Sequence, residues 1–232
     1  MRAAIHRVVR RLVWMSLPPA LALATTASRA WAQWMVRGAG AVSVMQHRVD
    51  AGYGVERSNG VVAGGELVVG TGKRLAVRLQ AQVGSLQADE PGAPGVRGVI
   101  DRDVAEVGAG VEVVVLPWLA AQAGVRRRTY STVLARQRWT TVNVGAEARL
   151  PFSGIGVSGI VRAALLPGVW VNGLSAPDLA FAAAAGMEYR RGRASLALLY
   201  GVERYRFPAG AGTARREQLA ALTLKAGWSL KP

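Results

Sequence analysis

The chain has 232 residues, 51% of them hydrophobic, and a formal net charge of +15 at pH 7. That hydrophobic content is too high for an intrinsically disordered chain. The sequence contains no cysteine, which excludes disulfides, cysteine-bound metals and thiol catalysis. No run of about 18 apolar residues follows the N-terminal segment, so a membrane-embedded form would have to be a closed β-barrel.

The first 32 residues have the pattern of a cleavable signal peptide. The stretch MRAAIHRVVRR carries four arginines and no acid, and a short apolar core, LVWMSLPPALALA, follows it. Ala30 and Ala32 supply the small residues that signal peptidase recognises. We therefore predict cleavage between Ala32 and Gln33, export by the general secretory pathway, and a mature domain of residues 33–232. The apolar core is too short to serve readily as a membrane anchor.

The mature chain repeats a pattern in which apolar residues alternate with polar or small ones. In RLAVRLQAQVGS, Leu75, Val77 and Leu79 share one face, whereas Arg78 and Gln80 share the other. A period of two residues is typical of a β-strand with one apolar face, whereas a helix requires a period of 3.6. About ten such segments are present, near residues 34–48, 58–70, 73–88, 102–116, 118–131, 138–150, 155–171, 178–190, 193–206 and 215–230.

Short and long connections alternate between these segments. TGK and RRGR are tight connections, whereas NGLSAPD and FPAGAGTAR are longer and rich in glycine, proline or charge. Short turns at one end and long loops at the other are typical of outer-membrane barrels. We therefore predict an all-β, antiparallel up-and-down transmembrane β-barrel of about ten strands. Eight strands are the alternative, if one long hairpin has been divided into too many segments.

Charged residues of both signs occupy the polar face of the predicted strands, together with many glycines. A soluble sandwich would also alternate, with its apolar face inward. Dense charge and glycine instead favour a narrow barrel lumen, in which acids and arginines are expected to pair. The predicted lumen charge network consists of Arg37, Glu66, Arg78, Glu106, Glu112, Arg126, Glu147, Arg149, Arg162 and Glu188.

All five tryptophans of the mature chain lie near the ends of predicted strands. In a soluble sandwich, tryptophan would more often fill the middle of the core. An indole ring favours the headgroup region of a bilayer, so two aromatic belts are predicted. Trp34, Trp118 and Trp228 would form the belt at the short-turn end, and Trp139 and Trp170 the belt at the long-loop end.

The final segment, LTLKAGWSLKP, carries a resemblance to a known family. Its Lys225, Gly227, Trp228 and Leu230 match, in order, the signal that the outer-membrane assembly machinery reads in the last strand of its substrates. The chain thus resembles a small bacterial outer-membrane β-barrel protein. The resemblance implies a location in the outer membrane of a Gram-negative-type bacterium, with outer-membrane lipid, lipopolysaccharide and the assembly machinery as partners. Many family members end on an aromatic residue, whereas a Lys-Pro dipeptide ends this chain.

Catalytic candidates are few. His47 is the only histidine of the mature chain, and it lies near the long-loop end of the first predicted strand, with Asp50 and Ser58 nearby. A Ser-His-acid site needs such groups together, and an aspartic protease of the outer-membrane type pairs Asp with His at the rim. No spacing links His47 to Asp89, Asp101 or Asp103, so a lone rim histidine is the favoured interpretation. The sequence predicts no catalytic, cofactor or metal site.

The predicted function is therefore non-enzymatic: an integral outer-membrane barrel with a structural or surface-interaction role in the lipopolysaccharide leaflet. A narrow pore for ions or small solutes is one alternative, although long inward side chains would fill a lumen of about ten strands. A lipid A-modifying hydrolase or protease at the rim is the other. An exported barrel does not normally meet nucleic acid, and we predict a monomer.

A basic hairpin is the predicted contact with lipopolysaccharide. No acid occurs between Val113 and Ala146, whereas five arginines lie at or above the long-loop end of the fifth and sixth predicted strands. Arginine binds phosphate bidentately, so phosphate contacts are expected here. The candidates are Arg126, Arg127, Arg128, Arg136 and Arg138.

The cleavage prediction has a direct test. N-terminal sequencing of the protein from outer membranes should give a chain that begins at Gln33. Replacing the small residue next to the cleaved bond, as in Ala32→Arg, should leave the precursor uncut, because signal peptidase requires a small side chain there. A mature chain that still carries the first 32 residues would contradict the prediction.

Overall fold

The structure, a computed structural model, describes residues 34–52, 54–71, 74–88, 101–132, 135–152, 154, 156–209 and 214–230. The expected signal peptide, its cleavage site and Asp89 lie outside these residues. Within the described ranges, no helix is long and apolar enough to cross a membrane.

Ten strands make up the described fold, which confirms the predicted number and leaves the eight-stranded alternative without support. The two longest strands have 17 residues each. The strands are β1 (Trp34–Asp50), β2 (Val55–Thr71), β3 (Leu75–Ala88), β4 (Arg102–Leu116), β5 (Leu119–Ser131), β6 (Arg136–Pro151), β7 (Val157–Val171), β8 (Leu179–Arg191), β9 (Ala194–Arg206) and β10 (Arg216–Leu230).

The strands form one closed antiparallel barrel. Each strand pairs with its neighbours in sequence, and β10 returns to pair with β1 from Val36↔Leu230 to Asp50↔Arg216. Closure leaves no strand edge with unpaired N–H and C=O groups, which is the condition for a β-structure to sit in lipid. The two ends of the barrel are named here by their connections: the short-turn end and the long-loop end.

The alternation of the sequence maps onto the two faces of the barrel wall. In β1, Val42 and Val44 point outward and are 51% and 60% exposed, whereas Ser43, Met45 and His47 point inward and are buried. Through the middle of the other strands the outward positions are likewise apolar, as in Leu165, which is 65% exposed. A continuous apolar exterior around a polar interior is the arrangement of a transmembrane barrel.

A β-bulge in β7 reverses this alternation near the long-loop end. The register between β6 and β7 shifts between Val142↔Gly168 and Val144↔Leu165, and Pro167 lies within the shift. Proline has no N–H to give to a ladder, so a bulge is one of the few strand positions that accept it. Because of the extra residue, Val169 points inward and Trp170 points outward, with 59% exposure.

The lumen is layered along the barrel axis. At the long-loop end an apolar core fills it, and ion-paired side chains occupy the middle and the short-turn end. The core is unusual for a membrane barrel because it resembles the interior of a soluble protein. Its members are Met45, Val62, Leu86, Val104, Tyr130, Trp139, Leu166, Val169, Val171, Ala180, Tyr205, Phe207 and Leu219.

Glycine allows neighbouring strands to approach closely on the inner face. A Cβ atom added to Gly84 of β3 would lie 2.2 Å from the backbone oxygen of Val61 on β2. Real Cβ atoms do not approach an oxygen so closely, so the two strands would have to separate. By contrast, a Cβ added to Gly40 of β1 would meet no atom within 4 Å.

These two glycines supply a matched pair of variants. Gly84→Ala should lower the free energy of unfolding by about 1–3 kcal/mol, the usual cost of overpacking. Gly40→Ala should leave it unchanged or raise it slightly, because alanine restricts the unfolded chain. Urea unfolding of the refolded barrels in lipid vesicles measures both. Equal stability of the two variants would contradict the close approach of β2 and β3.

Candidate functional site

Glu147 of β6 is the centre of an ion-paired cluster in the lumen. Its side chain is 2% exposed. Arg149 Nε donates to one carboxylate oxygen at 2.6 Å, and Arg162 Nε donates to the other at 2.5 Å. Gln122 Nε2 adds a contact at 3.3 Å. Both oxygens are therefore bound, as a buried carboxylate requires.

The same pattern continues around the lumen. Arg78 Nη2 donates to Glu112 Oε2 at 2.6 Å, and Arg78 Nη1 lies 3.6 Å from Glu66 Oε2. Lys225 Nζ lies 2.7 Å from Glu66, so the basic residue of the expected assembly signal points into the lumen. These ion pairs connect β2, β3, β4 and β10 inside the lumen.

A second layer lies nearer the long-loop end. Arg128 Nε donates to Glu106 at 2.6 Å, and Arg128 Nη1 donates to Glu203 at 3.1 Å. Arg126 also bonds to Glu203, and the Tyr205 hydroxyl donates to the same carboxylate at 2.7 Å. Glu203 lies on β9, four strands away from β5, so this layer spans the lumen.

Eight of the ten predicted lumen charges lie in these clusters, and a ninth, Glu188, accepts a bond from Arg149 Nη1 at 2.5 Å. The exception is Arg37, for which the expectation of an ion pair is wrong: among the described residues no acid lies within ion-pair distance of it. Its Nε is inaccessible and has no hydrogen-bond acceptor there. Glu203, Glu217, Arg128 and Lys225 are lumen residues that the predicted network did not include.

An aromatic cluster closes the lumen at the long-loop end. The Trp139 ring packs edge-on against Tyr205 and Phe207, with centroid distances of 5.0 and 5.9 Å. Tyr130 packs against Trp139 on one side and stacks on His47 on the other, 5.1 Å between centroids. Below the cluster, a cavity of about 360 Å³ extends through the middle of the lumen.

His47 differs from the expected rim histidine. It points into the lumen, is 1% exposed, and its Nε2 lies 2.9 Å from Glu217 Oε2 across the β1–β10 seam. Ser58 is equally buried, and its hydroxyl has no partner within the described residues. Asp50 and Asp103 do not join them, because Asp50 binds the Gly52 N–H and Asp103 is exposed opposite Ser131. No metal-binding cluster occurs in the part of the chain that the structure describes.

The predicted aromatic belts need one correction. Trp118, Trp170 and Trp228 are 46%, 59% and 54% exposed, as belt residues should be, and Trp34 at the start of β1 is 42% exposed. Trp139 is 1% exposed and belongs to the lumen core, so its assignment to a belt is wrong. Its parity places it with Asn143 and Glu147 on the inner face.

The predicted lipopolysaccharide contacts need a second correction. Arg126 and Arg128 point inward and bind lumen glutamates, so they cannot reach lipid. The other three predicted arginines are exposed, and Arg127 shares the outward parity of Val125. We call Arg127, Arg136 and Arg138 the first arginine group.

A second arginine group lies on β1, β9 and β10 at the same end. Arg206 and Arg216 occupy directly opposed positions, and Gln218 separates Arg204 from Arg48 in the next row. All four arginines are exposed. In the ring order, β5 and β6 lie across the barrel from β10 and β1, so the two groups are on opposite sides. Only Arg48 is distant in sequence from the other three, and the grouping depends on the register of β1, β10 and β9, which the sequence does not show.

The last strand carries the residues of the predicted assembly signal on both of its faces. Trp228 and Leu230 point outward, with 54% and 55% exposure. Gly227 lies opposite Ala39 of β1, at the seam that closes the barrel. Recognition by the assembly machinery remains a prediction.

The closed ring, the apolar exterior and the charged lumen together define a transmembrane β-barrel of the bacterial outer-membrane type. The outer membrane protease OmpT from Escherichia coli has a similar fold, with a TM-score of 0.57 and 9% sequence identity over 89% of this chain and 99% of that chain. The translocator domain of the autotransporter NalP from Neisseria meningitidis has a TM-score of 0.43 and 13% identity, over 98% and 97% of the two chains. Neisserial surface protein A has a TM-score of 0.35 and 11% identity, over 84% and 96%.

Comparison by sequence gives no relative. No protein-family model matches the chain, and no curated protein matches it. At 9% identity, the likeness to OmpT is a likeness of fold alone.

The lumen network predicts a large effect of a small change. Glu147→Gln keeps the shape of the side chain but leaves Arg149 and Arg162 without their shared anion. Breaking a buried pair from one side costs about 3–5 kcal/mol. Urea unfolding in vesicles should therefore show a large loss for Glu147→Gln. Asp103→Asn, the same change at an exposed position, is the control, and an equal effect at both sites would mean that the lumen is well solvated.

Proposed function

We propose that the chain is a non-enzymatic outer-membrane barrel with a structural role in the lipopolysaccharide leaflet, held there by arginines on its outer surface. The observation that carries the proposal is the opposed pair Arg206 and Arg216, both exposed and outward-facing. Like charges in directly opposed positions destabilise a sheet. A bound phosphate group would convert this repulsion into attraction, because guanidinium groups bind phosphate bidentately.

The charge balance around the pair supports this role. Asp50, opposite Arg216 on β1, is the acid that the register places beside them, and one of its oxygens accepts a bond from the Gly52 N–H. Arg48 and Arg204 in the neighbouring row add two further positive charges. Outward-facing arginine is costly at the bilayer centre but nearly free of cost near an interface. These arginines therefore fit a wall that has reached the headgroup level.

The first arginine group gives the barrel a second contact on the opposite side. Arg127 lies among apolar outward residues, and Arg136 and Arg138 follow on β6 closer to the connecting loop. Two basic groups on opposite sides would fix the depth and the tilt of the barrel in a leaflet of phosphorylated lipid.

The filled lumen argues against the alternatives. The 360 Å³ cavity favours a narrow pore as the second candidate, but the Trp139 cluster covers it at the long-loop end. A solute would have to displace these rings and then pass the Glu106 and Glu203 ion pairs. A rim hydrolase or protease has less support, because His47 and Ser58 are each 1% exposed and offer no access to a lipid or peptide.

Arginine replacement tests the proposal. We expect a variant in which Arg48, Arg204, Arg206 and Arg216 are replaced by glutamine to fold normally but to retain several-fold less lipopolysaccharide on purification. Wild-type retention should fall as salt rises, because salt screens charge contacts. Heat-modified gel migration reports folding, and silver staining or lipid A mass spectrometry reports retention. The matched control is Arg74→Gln with Arg191→Gln, two exposed arginines at the short-turn end.

Unchanged retention in the four-fold variant would overturn the proposed role of the arginines. Planar-bilayer recording of the wild-type protein tests the pore separately. We expect no discrete conductance steps, and steady open channels would favour the second candidate. Altered lipid A in cells that express the protein would instead favour the enzyme.

A further inference from the structure

The short-turn mouth of the lumen contains a small basic cavity. Its volume is about 50 Å³, and its lining carries more cations than acids. The charged lining residues are the acids Glu66 and Glu188 and the cations Arg37, Arg78, Arg149, Arg162, Arg190, Arg193 and Lys225. Ser195, Ser229 and Gly227 complete the nearby wall. The cavity lies at the opposite end of the barrel from the two arginine groups, and the inference drawn from it does not depend on the proposed function.

Both acids of the lining are already paired with other cations. Glu66 lies 2.7 Å from Lys225 Nζ and 3.6 Å from Arg78 Nη1, and Glu188 is bound by two arginines. Arg149 Nη1 donates to Glu188 Oε2 at 2.5 Å, and Arg190 Nη2 donates to the same oxygen at 3.0 Å. Arg149 is also tied to Glu147 deeper in the lumen. Neither Arg37 nor Arg193 lies within ion-pair distance of Glu188, which pairs with Arg149 and Arg190 instead.

Arg37 is left in an unfavourable position by this arrangement. In the described part of the barrel, its Nε is inaccessible and has no acceptor. Arg149 and Arg190 act on it with like charge. Arg193, on the turn between β8 and β9, likewise forms no ion pair within the described residues, and its backbone oxygen accepts the Ser229 N–H at 2.8 Å. The Arg37 side chain is half-buried, and a buried donor without an acceptor, such as its Nε, is destabilising.

We propose that this cavity is a binding site for a phosphate group, with Arg37 and Arg193 as its principal ligands. A tetrahedral oxyanion has about the volume of the cavity. It would supply acceptors for the orphaned Arg37 Nε and for Arg193, and it would offset the repulsion among the cations. Guanidinium groups fit such an anion because their N–H donors are arranged in a planar fork.

The position of the site sets the kind of molecule it accepts. Arg190 at the mouth has a side chain that is 47% exposed, so the cavity is reached from the short-turn side. The cavity is small and opens at the short-turn end, so we expect the organic part of a phosphate ester to extend outward through the mouth. Inorganic phosphate and the phosphate end of an ester share this chemistry, and the experiment separates them.

Phosphate titration of the refolded barrel tests the proposal. The protein is held in an uncharged detergent, and inorganic phosphate is compared with chloride at matched ionic strength by calorimetry and by the thermal midpoint of heat modification. We expect one phosphate per barrel and a midpoint that rises only with phosphate. Arg37→Gln should weaken binding at least about tenfold, because it removes a charge-assisted bond. Arg127→Gln, outward-facing at the other end, should bind as the wild type does.

The stability of Arg37→Gln without phosphate separates a ligand site from a structural arginine. The change removes a repelled charge, so the variant should be at least as stable as the wild type in chloride. Arg193→Gln, on the exposed turn, provides a second variant if Arg37→Gln does not refold, and it should also weaken phosphate binding. Phosphate binding that is absent in the wild type, or unchanged in these variants, would overturn the proposal.

Two esters identify the source of the phosphate. Glycerol 3-phosphate carries a terminal phosphate, whereas glycerophosphoglycerol carries a diester like that of a lipid headgroup. Binding of the monoester and not of the diester assigns the site to free or terminal phosphate. Equal binding of the diester assigns it to a headgroup of the inner leaflet.

Discussion

The hydrogen-bonded seam between β1 and β10 is the constraint on which the rest of the structure depends. Lipid offers no partner to a backbone N–H or C=O group, so a sheet can enter it only when no edge remains. Once the ring is closed, each strand has only two faces, and every side chain faces either lipid or lumen. Val44 and His47 illustrate the outcome, because they are three residues apart in β1 and meet opposite surroundings.

The side chains that fill the lumen must then neutralise or pack against one another, because little water is present there. Two arrangements meet this requirement: ion pairs in one part of the lumen and packed aromatic rings in another. Around Glu147 and Glu203, acids and cations neutralise each other at 2.5 to 3.1 Å. Around Trp139, rings pack edge to face as in a soluble core. Arg37 belongs to neither arrangement, and in this respect the short-turn mouth differs from the rest of the lumen.

Much of this arrangement follows from parity, and the aromatic-belt and lipopolysaccharide assignments failed where parity was set aside. Strand number and most lumen residues could be predicted because the period of two continues through nearly every segment. Trp139 and Arg128 were assigned by residue type and strand position, although their parity matched that of the lumen. Other features require three dimensions. The pairing of His47 with Glu217 depends on a register between strands 170 residues apart, and the outward turn of Trp170 depends on the bulge at Pro167.

The seam also affects the rate at which the barrel folds. Every other pairing in the ring joins strands that are neighbours in sequence, so each forms as a local hairpin. The seam joins the first strand to the last, and the Ser43–Thr223 hydroxyl contact at 2.8 Å closes a loop of 180 residues. Contacts of such long sequence separation are slow to form, because the entropy of loop closure is lost before any contact is gained. We therefore expect pairing of β1 with β10 to be the slowest step of folding. A catalyst that brings the last strand to the first would accelerate that step most.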